Sequence, residues 1–210
     1  MKRNSIIFVA ALFIFGVCAP ARAALSLSIG MMWPQELLNT GIPSGDAEFL
    51  FGPSFDKKFM FGFAGDFLWN VRTHETQDTS NPGLYKVTSD QKTFMFPLMG
   101  FFLIDPVPNF VIHPSVFFSI GYNSMIYNVK NDSSYNTGSS RQSTPVSPYF
   151  YGMIIKTGAF ANYSLGETSA LFIGIEYQWA DMKTGDTKNG LFNKRDMSGV
   201  GLKAGFRVQM

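Results

Sequence analysis

Cysteine is almost missing from this chain: Cys18 is the only one in 210 residues. A disulfide scaffold and a thiolate zinc site are excluded with it. Histidine is nearly as scarce, with His74 and His113 the two present. Charge is thin, at 15 % Asp, Glu, Lys and Arg, against ~25 % in an ordinary soluble domain. A net charge of +2 lacks the basic excess of a nucleic-acid binder. Hydrophobic content of 46 % argues against a disordered tail. After residue 23 no apolar run approaches the ~20 residues that a membrane helix needs. There is no Gly-rich phosphate loop, no G-x-S-x-G elbow and no H-E-x-x-H. What survives is a compact β-rich domain, or a membrane protein without membrane helices.

The amino terminus reads as an export signal. Lys2 and Arg3 precede a 12-residue apolar stretch, Ile6 to Val17, and Ala21-Arg22-Ala23 is an A-x-A cleavage site. A lipoprotein signal at Cys18 is the alternative. However, Val17 and Phe15 are not the small residue and the Leu that such a signal places one and three positions before the cysteine. The expected division is a signal peptide over 1–23 and one domain over 24–210. Cleavage would remove Lys2, Arg3 and Arg22 from the 17 basic residues, leaving 14 against 15 acidic ones. The basic balance of the precursor is therefore no evidence for an anionic partner.

What is present is alternation. Apolar residues recur at every second position, which is the period of a strand. Leu25, Leu27, Ile29, Met31 and Trp33 share one face, against Ser26, Ser28, Gly30 and Met32. The same pattern predicts strands over 48–55, 59–72, 92–104, 110–128, 148–164, 170–179 and 198–210. Their connections alternate between long polar segments (73–91, 129–147, 180–196) and short turns (56–58, 105–109, 165–169). The expected fold is all-β: an eight-stranded antiparallel up-and-down transmembrane β-barrel, with short turns on one side and long loops on the other.

Three features place the apolar face outward, the reverse of a soluble lipocalin-like barrel, which would put its polar face in water. Trp33, Trp69 and Trp179 fall at equivalent ends of strands one, three and seven, as an interface girdle would. The opposite face carries small residues, Ser26, Ser28, Gly30, Gly62, Ala64, Gly121, Gly158 and Gly174, suited to a narrow interior. Glu48, Asp66, Lys156, Glu176, Lys203 and Arg207 also have inward parity. They are expected to form an interior charge network in which Glu176 pairs with one or both lysines, within about one residue of register with Lys203. With Phe117 and Phe172 also inward, no open pore is expected.

The carboxy-terminal run from Ser198 to Met210, alternating Leu202, Ala204, Phe206, Val208 and Met210, resembles the last strand of bacterial outer-membrane barrels. There it is read by the barrel-assembly machinery, usually with a final Phe where Met210 stands. The segment Thr93-Phe94-Met95-Phe96-Pro97-Leu98, a turn, and His113-Pro114-Ser115-Val116-Phe117-Phe118 resembles the central hairpin of the outer membrane protein β-barrel domain related to OmpX and the OmpA membrane domain. The resemblance implies an outer-membrane location in a Gram-negative-type bacterium. It also implies contact with outer-membrane lipid and lipopolysaccharide, no cofactor, and a structural or surface-interaction role through long loops whose ligand is unspecified.

Chemistry has few candidates. His74 lies near Glu75 and Asp78, and is expected to be part of a solvated loop rather than a metal site. His113-Pro114-Ser115 resembles the H-x-S pair of outer-membrane lipid A deacylases of the PagL type, in which His is base for a Ser nucleophile. Val116 stands where those enzymes have Asn, and no acidic orienter is evident in the neighbouring sequence. A histidine at the rim, bonded to water or to a turn, is the expectation, and a lipid-acting hydrolase is the alternative. Lys183, Lys188, Lys194 and Arg195 are interspersed with acids in the last long loop and read as a solvated mixed-charge surface.

Overall fold

The computed structural model describes residues 22–35, 43–76, 84–135, 140–142, 147–184 and 194–210. The expected signal sequence and its cleavage site lie mostly outside these residues. Every described strand belongs to one antiparallel sheet of ten strands. They are β1 (Arg22–Pro34), β2 (Ser44–Phe55), β3 (Phe59–Thr76), β4 (Leu84–Ile104), β5 (Ile112–Tyr135), β6 (Ser140–Gln142), β7 (Tyr149–Ser164), β8 (Ser169–Thr184), β9 (Lys194–Asp196) and β10 (Gly199–Gln209). No helix of the described residues is long and apolar enough to cross a membrane.

The long strands pair with their sequence neighbours, and β10 pairs with β8 on one side and β1 on the other, so the ladder returns to its start as a ring. Ring closure leaves the long strands no unpaired edge. The count is ten rather than the expected eight because of β6 and β9. These three-residue strands pair with the far ends of β5 and β8.

The strands also run further than hydrophobic alternation indicates. β3 and β4 pair out to Thr76 and Val87, and β4 and β5 out to Leu84 and Tyr135. Much of the expected long loops 73–91 and 129–147 is therefore hairpin. The backbone ladder satisfies itself whatever the side chains, so a polar strand in water leaves no period-two hydrophobic mark. The short turns match their sequence. Asp56 and Lys57 both have positive φ, 50° and 60°, and Lys58 N donates to Phe55 O over 2.9 Å. This is the two-residue turn that suits hairpin twist.

The polarity of the wall is inverted. Ile29, Phe63 and Leu98 on its outer face are 72 %, 71 % and 71 % exposed, while inward Lys156 and Lys203 are 0 % and 2 % exposed. From Leu171 to Trp179 on β8, and from Phe94 to Ile104 on β4, no charged side chain faces out. A soluble barrel with polar residues outside does not fit this surface.

The interior is filled in tiers. Buried ions occupy the middle. Next comes an aromatic layer of Phe101, Phe117, Phe160 and Phe172, with successive ring centroids 6.3, 6.1 and 5.3 Å apart. The last tier, at the end bearing the short turns, is polar.

Candidate functional site

Two polar constellations occupy the interior, separated by the phenylalanine layer. In the middle tier, Lys156 Nζ contacts the Asp66 carboxylate and lies 3.3 Å from Glu176 Oε1. Lys203 Nζ lies 3.1 Å from Asp46 Oδ2, 3.0 Å from Glu48 Oε2 and 3.1 Å from Glu176 Oε2. Glu176 thus touches both ammonium groups. Its register differs from expectation: Glu176 is opposite Gly201 and Lys203 is opposite Gly174, a two-residue offset. The pairing is diagonal across the strands, a span that long side chains bridge.

Local sequence makes room for this cluster. Gly30 lies between Lys203 and Asp46 in the ladder. A Cβ there would stand 2.8 Å from Lys203 Cγ, so the missing side chain leaves the lysine its path. Asp46 completes the group and falls outside the expected network, because apolar alternation marks the second strand only from Glu48, whereas it begins at Ser44. A signal is nevertheless present: Asp46 and Glu48 are two residues apart and share a face.

Arg207 does not join this cluster. It lies below the phenylalanine layer, its guanidinium 5.3 Å from the Phe172 ring and its Nη1 3.4 Å from Asn162 Oδ1. Its inward parity is legible in the sequence, but parity does not give depth along the interior.

The rim tier holds His113, which is 5 % exposed. Its Nδ1 is 2.6 Å from Asp105 Oδ2, and its Nε2 is 3.3 Å from Ser164 Oγ. The expectation that no acid orients His113 is therefore overturned. Asp105 lies in the turn after β4, eight positions away in sequence, and the hairpin folds it back. Burial pushes the Asp105 carboxyl above its ordinary range, and the facing His113 and Arg207 pull against that rise. The Ser164 hydroxyl also donates to the Phe110 carbonyl oxygen at 3.4 Å.

The serine at Nε2 is Ser164, not Ser115. Ser115 Oγ instead accepts from Asn162 Nδ2 at 3.0 Å, as the His113 carbonyl does, also at 3.0 Å. Ser164 ends β7, and β5 and β7 pair with His113 opposite Asn162. That contact spans about fifty positions of chain, and nothing in the sequence around Ser164 marks it. A cavity of about 60 Å³ at this rim is lined by Lys57, Asp105, His113, Ser164 and Arg207 among others.

The remaining expected residues are placed as follows. Trp33 is opposite Val200, which is opposite Tyr177, two residues from Trp179. Trp69 is opposite Gly45, which is opposite Met31, two residues from Trp33. All three lie toward the end away from the short turns. His74 is exposed beside Glu75, which pairs with Lys86 at 2.6 Å, while Asp78 lies outside the described residues. Arg195 sits 4.3 Å over the Tyr127 ring, and Lys188 lies outside the described residues.

Among solved structures the chain is similar to Neisserial surface protein A, at 13 % identity and TM-score 0.47, over 91 % of this chain and 98 % of that one. It is similar to the outer membrane protein OprG of Pseudomonas aeruginosa, at 11 % identity and TM-score 0.46, over 90 % and 96 %. It is also similar to a major outer membrane protein of Thermus thermophilus, at 12 % identity and TM-score 0.45, over 90 % and 99 %. No family model and no curated protein sequence matches the chain.

Proposed function

We propose that the chain is an eight-stranded, antiparallel, up-and-down transmembrane β-barrel of the outer membrane of a Gram-negative-type bacterium, exported through residues 1–23. Its role in this reading is structural or surface-interacting, through the segments at the girdle end, in contact with outer-membrane lipid and lipopolysaccharide. β10 is the strand read by the barrel-assembly machinery. In the strand count, β6 and β9 are annexes beyond the eight long strands of the ring.

The observation that carries this reading is the inverted polarity. An outer face so dominated by apolar side chains would be a liability in water and is the surface that lipid requires. From Leu171 to Trp179 the strand rises about 27 Å, or roughly 20 Å along an axis tilted by ~40°. That approaches the height of a membrane barrel's apolar band. The buried ions would cost about 2–4 kcal/mol each for Lys or Arg facing lipid near the midplane. Turned inward, they pair. The same side chains fill the interior and support the absence of an open pore.

The test is fractionation of the expressed protein, followed by electrophoresis with and without boiling. Retention in the outer membrane with a heat-shifted band is the expected result. A soluble periplasmic or secreted product overturns the proposal.

A further inference from the structure

We infer that the rim cavity at the short-turn end is a binding site for free inorganic phosphate, held by Arg207 and selected by Asp105. The site is built around polar atoms that the fold leaves unmatched. Arg207, Asp105 and His113 line one cavity and are 7 %, 3 % and 5 % exposed. Arg207 Nε and Nη2, Asp105 Oδ1 and His113 Nδ1 have no hydrogen-bond partner among the described residues. Buried polar groups are costly to leave unmatched, and here unmatched donors and an unmatched acceptor border the same small space.

The guanidinium is held ready for a ligand. Its Nη1 is 3.4 Å from Asn162 Oδ1, and the cation lies 5.3 Å from the Phe172 ring, within the range of a cation–π contact. Nε and Nη2 share the remaining edge of the plane. Two parallel N–H donors on one edge match two oxygens of a carboxylate or of a tetrahedral oxyanion.

Asp105 narrows that choice. The lining sets Lys57 and Arg207 against Asp105 and Glu167, so beside a neutral His113 the formal charges balance. Selection then falls to the pattern of donors and acceptors. His113 Nδ1 stands 2.6 Å from Asp105 Oδ2, and Oδ1 is left as a bare acceptor. A ligand that satisfies both residues must accept from Arg207 and donate to Asp105. Inorganic phosphate does both, because near neutral pH each of its ionised forms keeps a P–OH. Sulfate and simple carboxylates are fully ionised, and would set bare oxygens against the Asp105 carboxylate. That repulsion rejects them. A phosphodiester headgroup has no P–OH, and a phosphomonoester loses its own above a pKa of about 6. Size agrees with the free ion. Water takes up roughly 30 Å³ in the liquid, and a cavity of about 60 Å³ suits one small oxyanion better than a lipid headgroup.

Entry is from the solvent side of the short turns. Gly166, Glu167 and Thr168, in the turn between β7 and β8, line the cavity and are exposed. In the proposed barrel that side is the periplasm. The binding chemistry itself does not depend on the barrel reading.

The test is isothermal titration calorimetry on the purified full-length protein in dodecyl maltoside micelles at neutral pH, with circular dichroism as the folding check on every variant. Inorganic phosphate is expected to bind with a Kd of about 1 mM or tighter. Arsenate, which also keeps a hydroxyl, should bind alike. Sulfate, and phosphatidylglycerol added to the micelles, should bind at least about 10-fold more weakly. Arg207→Gln should weaken phosphate by about 10- to 100-fold. Asp105→Asn places an amide donor in the turn and should bring sulfate to within about 3-fold of phosphate. The comparison of phosphate with sulfate needs no variant, so it stands even if Arg207→Gln fails to fold.

Folded parent protein that gives no heat with millimolar phosphate overturns the site and leaves a cavity that holds water only. Phosphate binding that survives Arg207→Gln unchanged places the ion elsewhere. Sulfate that binds the parent as tightly as phosphate removes the selecting role of Asp105. Phosphatidylglycerol or phosphatidic acid that binds more tightly than the free ion replaces it with a lipid headgroup. Phosphate binding by a protein that fractionates as soluble overturns the barrel reading and leaves the phosphate site standing.

Discussion

Lys203 is the residue on which the middle tier depends, because one ammonium group faces three carboxylates. Replacing it with Met removes the charge while keeping most of the volume, and leaves Asp46, Glu48 and part of Glu176 buried without it. Breaking a buried ion pair from one side costs about 3–5 kcal/mol. Lys203→Met should therefore lose that much stability, measured by urea unfolding in lipid vesicles. Adding Glu48→Gln should restore part of the loss, since the pair is coupled. A Lys203→Met chain as stable as the parent would show that the cluster is not held by this cation. Gly30 is the second sensitive position. A Cβ there would lie 2.3 Å from the Leu202 carbonyl oxygen as well as against Lys203. The backbone of a closed ring yields little, so Gly30→Val should cost about 1–3 kcal/mol by overpacking, in the same unfolding measurement.

At the scale of the element, β8 shows both what the sequence discloses and what it withholds. Leu171, Ile173, Ile175, Tyr177 and Trp179 alternate with Phe172, Gly174, Glu176 and Gln178, and the strand is exposed and enclosed in that order. Period two is enforced by the pleat, so parity is legible without any knowledge of partners. Ile175 is the middle of the five outward residues and, in the proposed barrel, the point furthest from either interface. Ile175→Arg should cost about 2–4 kcal/mol, whereas the same change near the girdle, at Trp179, should cost about 0–1 kcal/mol. Equal penalties would argue that this face does not cross a bilayer. Strand ends are not legible, because beyond the tryptophans the ladder continues through polar residues that carry no periodic signal. Nor is depth: Arg207 and Lys203 have the same parity on β10, yet they belong to tiers separated by phenylalanine rings. The rim site is hidden for a further reason. Asp105 comes from a turn, His113 from β5 and Ser164 from the end of β7, so only the pairing of strands distant in sequence brings them together.

At the scale of the whole molecule the open quantity is orientation, and the scarcity of cysteine makes it measurable. If Cys18 leaves with the export signal, the mature chain has no thiol, and a single introduced cysteine reports one position. β1 begins and β10 ends at the short-turn end, where Met210 N donates to Ala23 O at 2.7 Å. In the proposed barrel this end faces the periplasm and the tryptophan end faces out, as in barrels with short periplasmic turns. Lys194 lies beyond the tryptophan end and Glu167 in a short turn, and both are exposed. In intact cells, a membrane-impermeant maleimide should label Lys194→Cys fully. It should label Glu167→Cys only after the outer membrane is permeabilised. The reverse pattern would turn the barrel over, and the rim cavity beside His113 and Arg207 would then open at the cell surface.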